Sequence, residues 1–189
     1  MMSPLSMIEA LKDFVSRVDA LGISYMVTGS LAMSVYITAR TTMDIDVVIE
    51  IRSNEAERFA NQFLDGYYVN PNSIRRAIDN QSMFNIVNQV QGVKIDCIPR
   101  KDDEFSRERF KRRVMATIDD AKFWAITKED LILAKLMWAS ESHSEVQFRD
   151  ISNLVDSGYD LEYVKHWSDR LKLKDTWKAL SEWKTQAAK

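Results

Sequence analysis

The sequence is poor in the side chains that build disulfides and zinc sites. Its 189 residues include one cysteine, Cys97, and two histidines, His143 and His166. A single cysteine excludes an internal disulfide and fits the reducing cytoplasm. One thiol and two histidines far from it along the chain offer no zinc-ligand cluster, so we expect both histidines to lie at the surface.

Long apolar runs and a strong net charge are also missing. No apolar segment approaches the ~20 residues that span a bilayer, and the first residues lack the basic and then apolar pattern of a signal peptide. The formal net charge of −2 argues against a protein that coats nucleic acid nonspecifically, although it leaves room for a local basic groove. We therefore expect a cytoplasmic protein without a membrane segment.

No Pro-, Gly- or Ser-rich linker interrupts the chain, but its pattern changes near residue 125. We predict an α/β domain over residues 1–125, with a mixed sheet flanked by helices, and an α-helical C-terminal domain over 126–189 packed against it. The predicted helices cover 4–21, 31–38, 53–64, 71–78, 131–138, 146–155, 161–171 and 175–187. The predicted strands cover 25–28, 43–51, 67–69, 83–89, 93–98, 114–118 and 123–126. The charge-dense segment 102–113 is predicted as a solvated helix or loop.

The most informative pattern is Gly29-Ser30 followed, after thirteen intervening residues, by Asp44-Ile45-Asp46. Strand residues alternate between faces, so Asp44 and Asp46 point the same way, about 6.6–6.8 Å apart. Two carboxylates on one face repel each other unless a cation lies between them. A Gly-Ser turn that leads into a helix offers backbone N–H groups to a phosphate. Together these motifs suggest a site for a metal-bound nucleoside triphosphate.

A third carboxylate, Asp96, interrupts the otherwise apolar strand 93–98, where it shares a face with Lys94. If this strand neighbours the strand of Asp44 and Asp46, the three carboxylates converge. Such a set can hold two divalent ions about 3.5–4 Å apart, the geometry of in-line nucleotidyl transfer. Oxygen ligands favour Mg²⁺ or Mn²⁺ over zinc.

The order of these motifs resembles the nucleotidyltransferase superfamily related to DNA polymerase beta. Its pattern is an apolar strand, Gly followed by Gly or Ser, a short helix, Asp-apolar-Asp/Glu and a later carboxylate. The segment Arg40-Thr41-Thr42-Met43-Asp44-Ile45-Asp46 is similar to the Arg-x-Thr-x-Asp-x-Asp form of a small bacterial branch that includes the AbiEii-type toxins. Lys135 and Arg149-Asp150 resemble downstream positions of that branch, although this part of the likeness is looser.

The resemblance implies a role for each motif residue in a nucleotidyltransferase. Gly29 and Ser30 would hold the β- and γ-phosphates of the NTP co-substrate. The metal ligands would be Asp44, Asp46 and Asp96, and Asp96 would also help to deprotonate the attacking hydroxyl. Arg40 and Lys135 are candidates for neutralising the triphosphate. The hydroxyl acceptor could be an RNA end such as that of tRNA, a protein side chain or a small molecule, and an antitoxin-like protein partner is implied.

Simpler interpretations remain beside these functional ones. Asp44 and Asp46 could be exposed strand residues, and Ser30 an ordinary helix N-cap. Lys135 could snorkel from an apolar helix face, and we favour an interhelical salt bridge for Arg149-Asp150. The basic segment 107–113 is either a solvated face or an RNA contact. The tryptophans are predicted to form the core of the helical part; they are Trp124, Trp138, Trp167, Trp177 and Trp183.

Two alternatives to the transferase stay open at this stage. One is a catalytically silent scaffold of the same fold that binds a nucleotide or a partner protein. The other is a metal-dependent phosphohydrolase that uses the same carboxylates and releases phosphate or a nucleoside monophosphate without any acceptor.

Overall fold

In the computed structural model the chain is described over residues 4–38, 42–142 and 144–187. The described residues divide into two compact units. The first unit contains residues 4–35 and 42–126, and the second contains residues 36–38 and 127–187. The first is a mixed α/β unit and the second is built from helices, so the predicted fold class is confirmed.

The α/β unit alternates short strands with helices. Its helices are α1 (Pro4–Ala20), α2 (Gly29–Met33), α3 (Ala56–Gln62), α4 (Pro71–Asp79) and α5 (Glu104–Lys111), with a 3-10 turn at Ser53–Glu55. Its strands are β1 (Tyr25–Thr28), β2 (Asp44–Ile49), β3 (Tyr67–Tyr68), β4 (Phe84–Asn88), β5 (Val93–Pro99), β6 (Val114–Ile118) and β7 (Ala121–Ala125).

Within the described residues these strands form one sheet in the order β3-β4-β5-β2-β1-β7-β6. The pairs β2–β5 and β1–β7 are parallel, and the other neighbours are antiparallel. The central strands are therefore β5, β2 and β1, which carry all three predicted carboxylates and the residue before Gly29. This topology brings together motifs that lie up to about seventy residues apart in the chain.

One face of the sheet is covered by an aromatic core. Strand residues that alternate with the acidic positions, such as Ile45, Val47 and Ile95, are fully buried. Phe59 and Phe63 lie beneath them on the α3 side, with ring centroids 4.7 Å apart, and Phe59 also makes an edge contact with Phe84 of β4. Burial of this face sets which side of each strand points away from it, because a one-residue slip would expose the apolar set.

The helix after β1 differs from our prediction of 31–38. It begins at Gly29 and ends at Met33, and the chain continues as turns through Tyr36. The β-branched and aromatic residues in the segment 35–38 are weak helix formers. Tyr36 belongs to the helical unit, where its ring lies 5.9 Å from the ammonium of Lys128.

The helical unit contains α6 (Lys128–Ser142), α7 (Glu145–Asp156), α8 (Leu161–Arg170) and α9 (Lys174–Ala187). Thr127 caps the start of α6: the backbone N–H of Asp130 donates to the Thr127 hydroxyl, and that hydroxyl donates to the Asp130 carboxylate. The Tyr163 hydroxyl also donates to Asp130, which ties α8 to the start of α6.

The predicted tryptophan core is only partly correct. Trp167 is buried in α8, but Trp138 is 59% exposed on α6, and Trp124 belongs to β7 of the α/β unit. Arg113 lies over the Trp124 ring at 5.1 Å, so part of the basic segment 107–113 packs on aromatic rings instead of forming a fully solvated face. His166 is exposed as predicted, whereas His143 lies outside the described residues.

A membrane-spanning helix is absent from residues 4–38, 42–142 and 144–187. None of the helices described there combines the length and the apolar character that crossing a bilayer requires.

The rate at which the Cys97 thiol is modified tests the packing of the sheet directly. It is fully buried on the core face of β5, and burial raises the pKa of its thiol, with a smaller contribution from Asp96. We expect Ellman's reagent to modify the native protein at least ~100-fold more slowly than the unfolded protein, because only the thiolate reacts. A Ser181→Cys variant, in which the new thiol is exposed on α9, is the control and should react at once. Rapid modification of Cys97 in the native protein would contradict the packing.

Candidate active site

The candidate site is built from side chains of β2 and β5 that lie on the same face of the sheet. In the parallel pairing of β2 and β5, Asp44 lies opposite Lys94 and Asp46 lies opposite Asp96. Residues opposite each other, and residues two apart along a strand, share a face, so adjacent members of this set lie about 5–7 Å apart. The register thus places Asp96 on the same face as Asp44 and Asp46, which the sequence analysis expected only if the two strands were neighbours. Their role as metal ligands stays a prediction.

Lys94 supplies the positive charge of this cluster. Its Nζ lies 2.7 Å from Oδ2 of Asp96 and 3.6 Å from Oδ2 of Asp44. The hydrogen bond to Asp96 is the main cause of the raised pKa of Lys94, and the negative charge of both carboxylates adds to it. Sequence reasoning placed Lys94 on the face of Asp96 but gave it no role. The alternation of strand β5 was the available signal.

Asp96 is the most deeply buried of these carboxylates, with 4% of its surface exposed. Its Oδ2 faces Lys94, whereas its buried Oδ1 has no hydrogen-bond partner in the described part of the protein. A buried oxygen without a partner costs on the order of 1–3 kcal/mol, and such groups are rare in native proteins. This oxygen is therefore a candidate ligand atom.

Gly29 lets the chain pass directly over Asp46. Thr28, at the end of β1, lies opposite Asp46 in the antiparallel ladder, and Gly29 follows with φ of +66°. A Cβ atom at position 29 would overlap Oδ2 of Asp46 and lie 2.8 Å from its Cγ. Only glycine satisfies both the left-handed backbone and this close approach, so the Gly-Ser turn and the second aspartate form one unit.

Thr42 orients the first aspartate. Its hydroxyl donates to Oδ1 of Asp44 at 2.9 Å, while Oδ2 of the same carboxylate faces Lys94. Both oxygens of Asp44 therefore have partners. Thr42 belongs to the Arg-x-Thr-x-Asp-x-Asp pattern, but we assigned it no role from sequence because a threonine before a strand usually has none.

The donor set suits a hard divalent cation. Three carboxylates and one ammonium leave a local charge of about −2, and the orphaned oxygen of Asp96 offers an unfilled position. Within the described residues no group of three His, Cys, Asp or Glu side chains is already arranged to hold a metal ion. Asp44 and Asp96 instead turn one oxygen each toward Lys94, so these carboxylates would need to reorient around a bound metal.

The other predicted residues are distributed differently. Ser30 is buried in the first turn of α2, next to Gly29. Arg40 lies outside the described residues. Lys135 belongs to the helical unit, where its buried ammonium lies 2.8 Å from Asp150 and 3.3 Å from Gln147. The interhelical salt bridge therefore uses Asp150 as we favoured, but the structure gives it Lys135 as its cation.

Solved structures with a similar fold are nucleotidyltransferase-like proteins. An antigenic nucleotidyltransferase-like protein from Paracoccidioides brasiliensis matches with a TM-score of 0.55 and 15% identity, covering 95% of this chain and 94% of its own. The lincosamide antibiotic adenylyltransferase LnuA, with lincomycin bound, matches with a TM-score of 0.53 and 15% identity, covering 81% and 96%. The antibiotic-resistance factor ANT(2'')-Ia matches with a TM-score of 0.51 and 12% identity, covering 98% and 95%.

No protein-family model matches the chain, and no curated protein matches it. At these low identities the structural matches establish the fold.

The contact between Gly29 and Asp46 can be tested by stability. Gly29→Ala should lower the free energy of unfolding by about 2–4 kcal/mol, because strain at positive φ adds to the overlap with Asp46. Gly92→Ala is the matched control: its φ is +70°, but a Cβ there meets nothing within 4 Å, so about 1 kcal/mol is expected. Equal losses in denaturant unfolding would show that the close approach is unimportant.

The neutralising role of Lys94 can be tested without any activity assay. Lys94→Met removes the charge and keeps most of the side-chain length. In EDTA we expect the free energy of unfolding to fall by about 1–2 kcal/mol, since Asp96 loses the ammonium that faces it while remaining buried. Added Mg²⁺ should recover part of this loss. Lys12→Met, which removes the surface pair with Asp120, should cost less than about 1 kcal/mol. A Lys94 variant as stable as the Lys12 variant would refute the role.

Proposed function

We propose that this protein transfers a nucleoside monophosphate from an NTP to a hydroxyl acceptor and releases pyrophosphate. The observation that carries the proposal is the register of β2 and β5, which puts Asp44, Asp46 and Asp96 on one face beside the Gly29 turn. The likeness of the whole chain to nucleotidyltransferase-like structures supports the same reaction class.

The nucleotide's phosphates would be held at the turn after β1. Gly29 presents backbone without a side chain, and the buried hydroxyl of Ser30 follows it in the first turn of α2. Because Asp46 lies directly against Gly29, a phosphate at this turn is close to the carboxylates. Positioning and charge neutralisation supply most of the rate enhancement in nucleotidyl transfer, so few other groups are needed.

The proposed metal ligands are Asp44, Asp46 and Asp96. When bound, one or two Mg²⁺ or Mn²⁺ ions would neutralise charge on the phosphoryl oxygens. Asp96 is also the proposed acceptor of the proton from the attacking hydroxyl, since one of its oxygens has no partner. Thr42 and Lys94 keep the carboxylates oriented and balanced before the substrates bind.

Arg40 and Lys135 remain the proposed partners of the triphosphate charge. Lys135 would have to share its ammonium with Asp150, because this ion pair is buried and short. Loss of the pair would leave a buried unpaired carboxylate in α7. The free energy gained from a phosphate contact would have to exceed this cost. Lys135 is therefore the less favoured of the two candidates.

The acceptor classes that remain are an RNA end, a protein hydroxyl and a small molecule. LnuA was solved with lincomycin, and similarity to the AbiEii-type toxins would instead suggest an RNA end and an antitoxin-like partner. A reaction that consumes NTPs fits a protein of the cytoplasm. Incubation of the protein with NTPs labelled at the α-phosphate and with total cell extract identifies the base and the acceptor class together.

Asp46→Asn is the sharpest test of the proposed chemistry. Transfer of the α-phosphate label should fall at least ~100-fold, since even outer-shell changes at metal sites cost 10–100-fold. The variant should remain folded, because the substitution removes a proposed metal ligand without loss of side-chain volume. Asp120→Asn, at a surface pair with Lys12, is the control and should leave transfer intact. Undiminished transfer by the Asp46 variant would refute the assignment.

A silent scaffold is the second candidate, favoured by one observation. Lys94 already offsets the charge of Asp44 and Asp96, so the fold does not require a metal ion for stability. The scaffold predicts nucleotide binding without pyrophosphate release on any acceptor. A phosphohydrolase predicts release of phosphate or nucleoside monophosphate in the absence of extract. The labelled products therefore distinguish all three activities.

A further inference from the structure

A cavity of about 310 Å³ opens in the α/β unit beside α4 and the start of β4. Its polar lining includes Asn70, Asn80, Asn85 and Arg76. Tyr68 and Met83 also line it and are 63% and 52% exposed. The cavity volume is at the lower end of the range for small-molecule sites.

Two residues that line the cavity, Asn85 and Tyr68, lie on the face of the sheet that carries the three aspartates, the carboxylate face. Asn85 lies opposite Asp96 in the β4–β5 ladder, and Asp96 lies opposite Asp46. Thr28 completes this row on β1, immediately before Gly29. With strands ~4.8 Å apart, the row runs about 14 Å from the Gly29 turn, across both carboxylates, to Asn85.

Tyr68 extends the neighbouring row in the same way. It lies opposite Val87, which lies opposite Lys94, and Lys94 lies opposite Asp44. Asn85 and Tyr68 therefore belong both to the cavity lining and to the carboxylate face, on the side of the sheet remote from the Gly29 turn.

The order of these residues across the sheet can be compared with the geometry of in-line transfer. The attacking hydroxyl and the leaving pyrophosphate lie on opposite sides of the α-phosphorus. If the β- and γ-phosphates lie at Gly29 and Ser30, the acceptor approaches past Asp96 from the side of Asn85. We propose that the cavity between α4 and β4 binds the acceptor. This inference rests on the proposed function.

The lining also restricts the class of acceptor. None of the residues that line the cavity is acidic, and Arg76 makes no ion pair with any residue that the structure describes. Its neighbour Arg75, in contrast, pairs with Glu57 at 3.0 Å. Asp79, one turn further along α4, accepts a hydrogen bond from Ser53. A guanidinium without an ion-pair partner can bind an anion such as a phosphate and disfavours a polycationic acceptor.

The remaining groups fit a nucleotide. The side-chain oxygen of Asn70 caps α4, which leaves its amide N–H groups for a ligand, and Asn80 and Asn85 add further amides. Amides bind base edges, and an exposed aromatic ring such as Tyr68 stacks on bases. The acceptor class is a ribose hydroxyl flanked by a phosphate and a base, carried by a free nucleotide or by a nucleic-acid end.

Binding to the loaded protein tests this directly. The probe is a fluorescent RNA trinucleotide with a free 3′ hydroxyl, added while an α,β-methylene NTP saturates the donor site. Arg76→Gln should weaken trinucleotide binding at least ~10-fold, the equivalent of about 1.4 kcal/mol, and leave binding of the analogue unchanged. Arg75→Gln, one residue away, should change neither. Wild-type binding by the Arg76 variant, or no trinucleotide binding at all, would overturn the inference.

Further binding measurements define which chemical groups of the ligand the cavity recognises. Tyr68→Ala should weaken binding about fivefold or more, and Tyr68→Phe should restore it because the ring is retained. AMP should displace the trinucleotide at least ~10-fold better than adenosine; equal displacement would refute the phosphate contact. AMP that binds as tightly as the trinucleotide identifies a free nucleotide as the source, and tighter trinucleotide binding identifies a nucleic-acid end. Failure of the NTP analogue itself to bind would instead refute the proposed function, and this inference with it.

Discussion

The structure depends on the crowding of like charge on one face of the central strands. Parallel pairing of β2 and β5 brings Asp46 beside Asp96 and Asp44 beside Lys94, with the opposite face buried in the core. Acidic side chains this close are unfavourable without a cation. Lys94 meets that requirement in the structure, and a divalent ion would meet it more fully. The same crowding would favour the proposed metal ion, because a divalent cation offsets the negative charge of the carboxylates.

The phosphate turn and the carboxylates are coupled through backbone geometry. Thr28 pairs with Asp46, so the chain that leaves β1 must cross the second aspartate before it can enter α2. Gly29 permits that crossing because it has no Cβ and accepts a positive φ. The proposed phosphate turn and the proposed metal ligands thus lie together at one end of the central strands, without a long loop between them.

The helical unit is organised around buried polar contacts of its own. Asp130 joins α6 and α8 through Thr127 and Tyr163, and Asp150 joins α6 and α7 through Lys135. Buried ion pairs are costly to break and so favour one arrangement of helices over others. The family resemblance made Lys135 a candidate phosphate ligand, and in the structure its ammonium is buried beside Asp150.

Particular residues show what could be predicted and why. The motif at 29–46 and the strand around Asp96 were recognisable because strand alternation and local turn chemistry are short-range properties. The helix after Gly29 was misplaced because the prediction extended it through residues 35–38, whose β-branched and aromatic side chains are weak helix formers. Trp138 was wrongly assigned to the core, because the sequence of a helix does not show which of its faces neighbouring helices will cover.

The sequence by itself determined the fold class, the pair of aspartates on one strand face and the glycine turn, because each follows from backbone preferences over a few residues. The tertiary structure alone decided that Asp96 lies beside Asp46, that Lys94 occupies the middle of the charge cluster and that Asn85 continues the row to a cavity. Those facts depend on which strands pair and in what register. Register is set by burial of the whole opposite face, a property that no short segment carries.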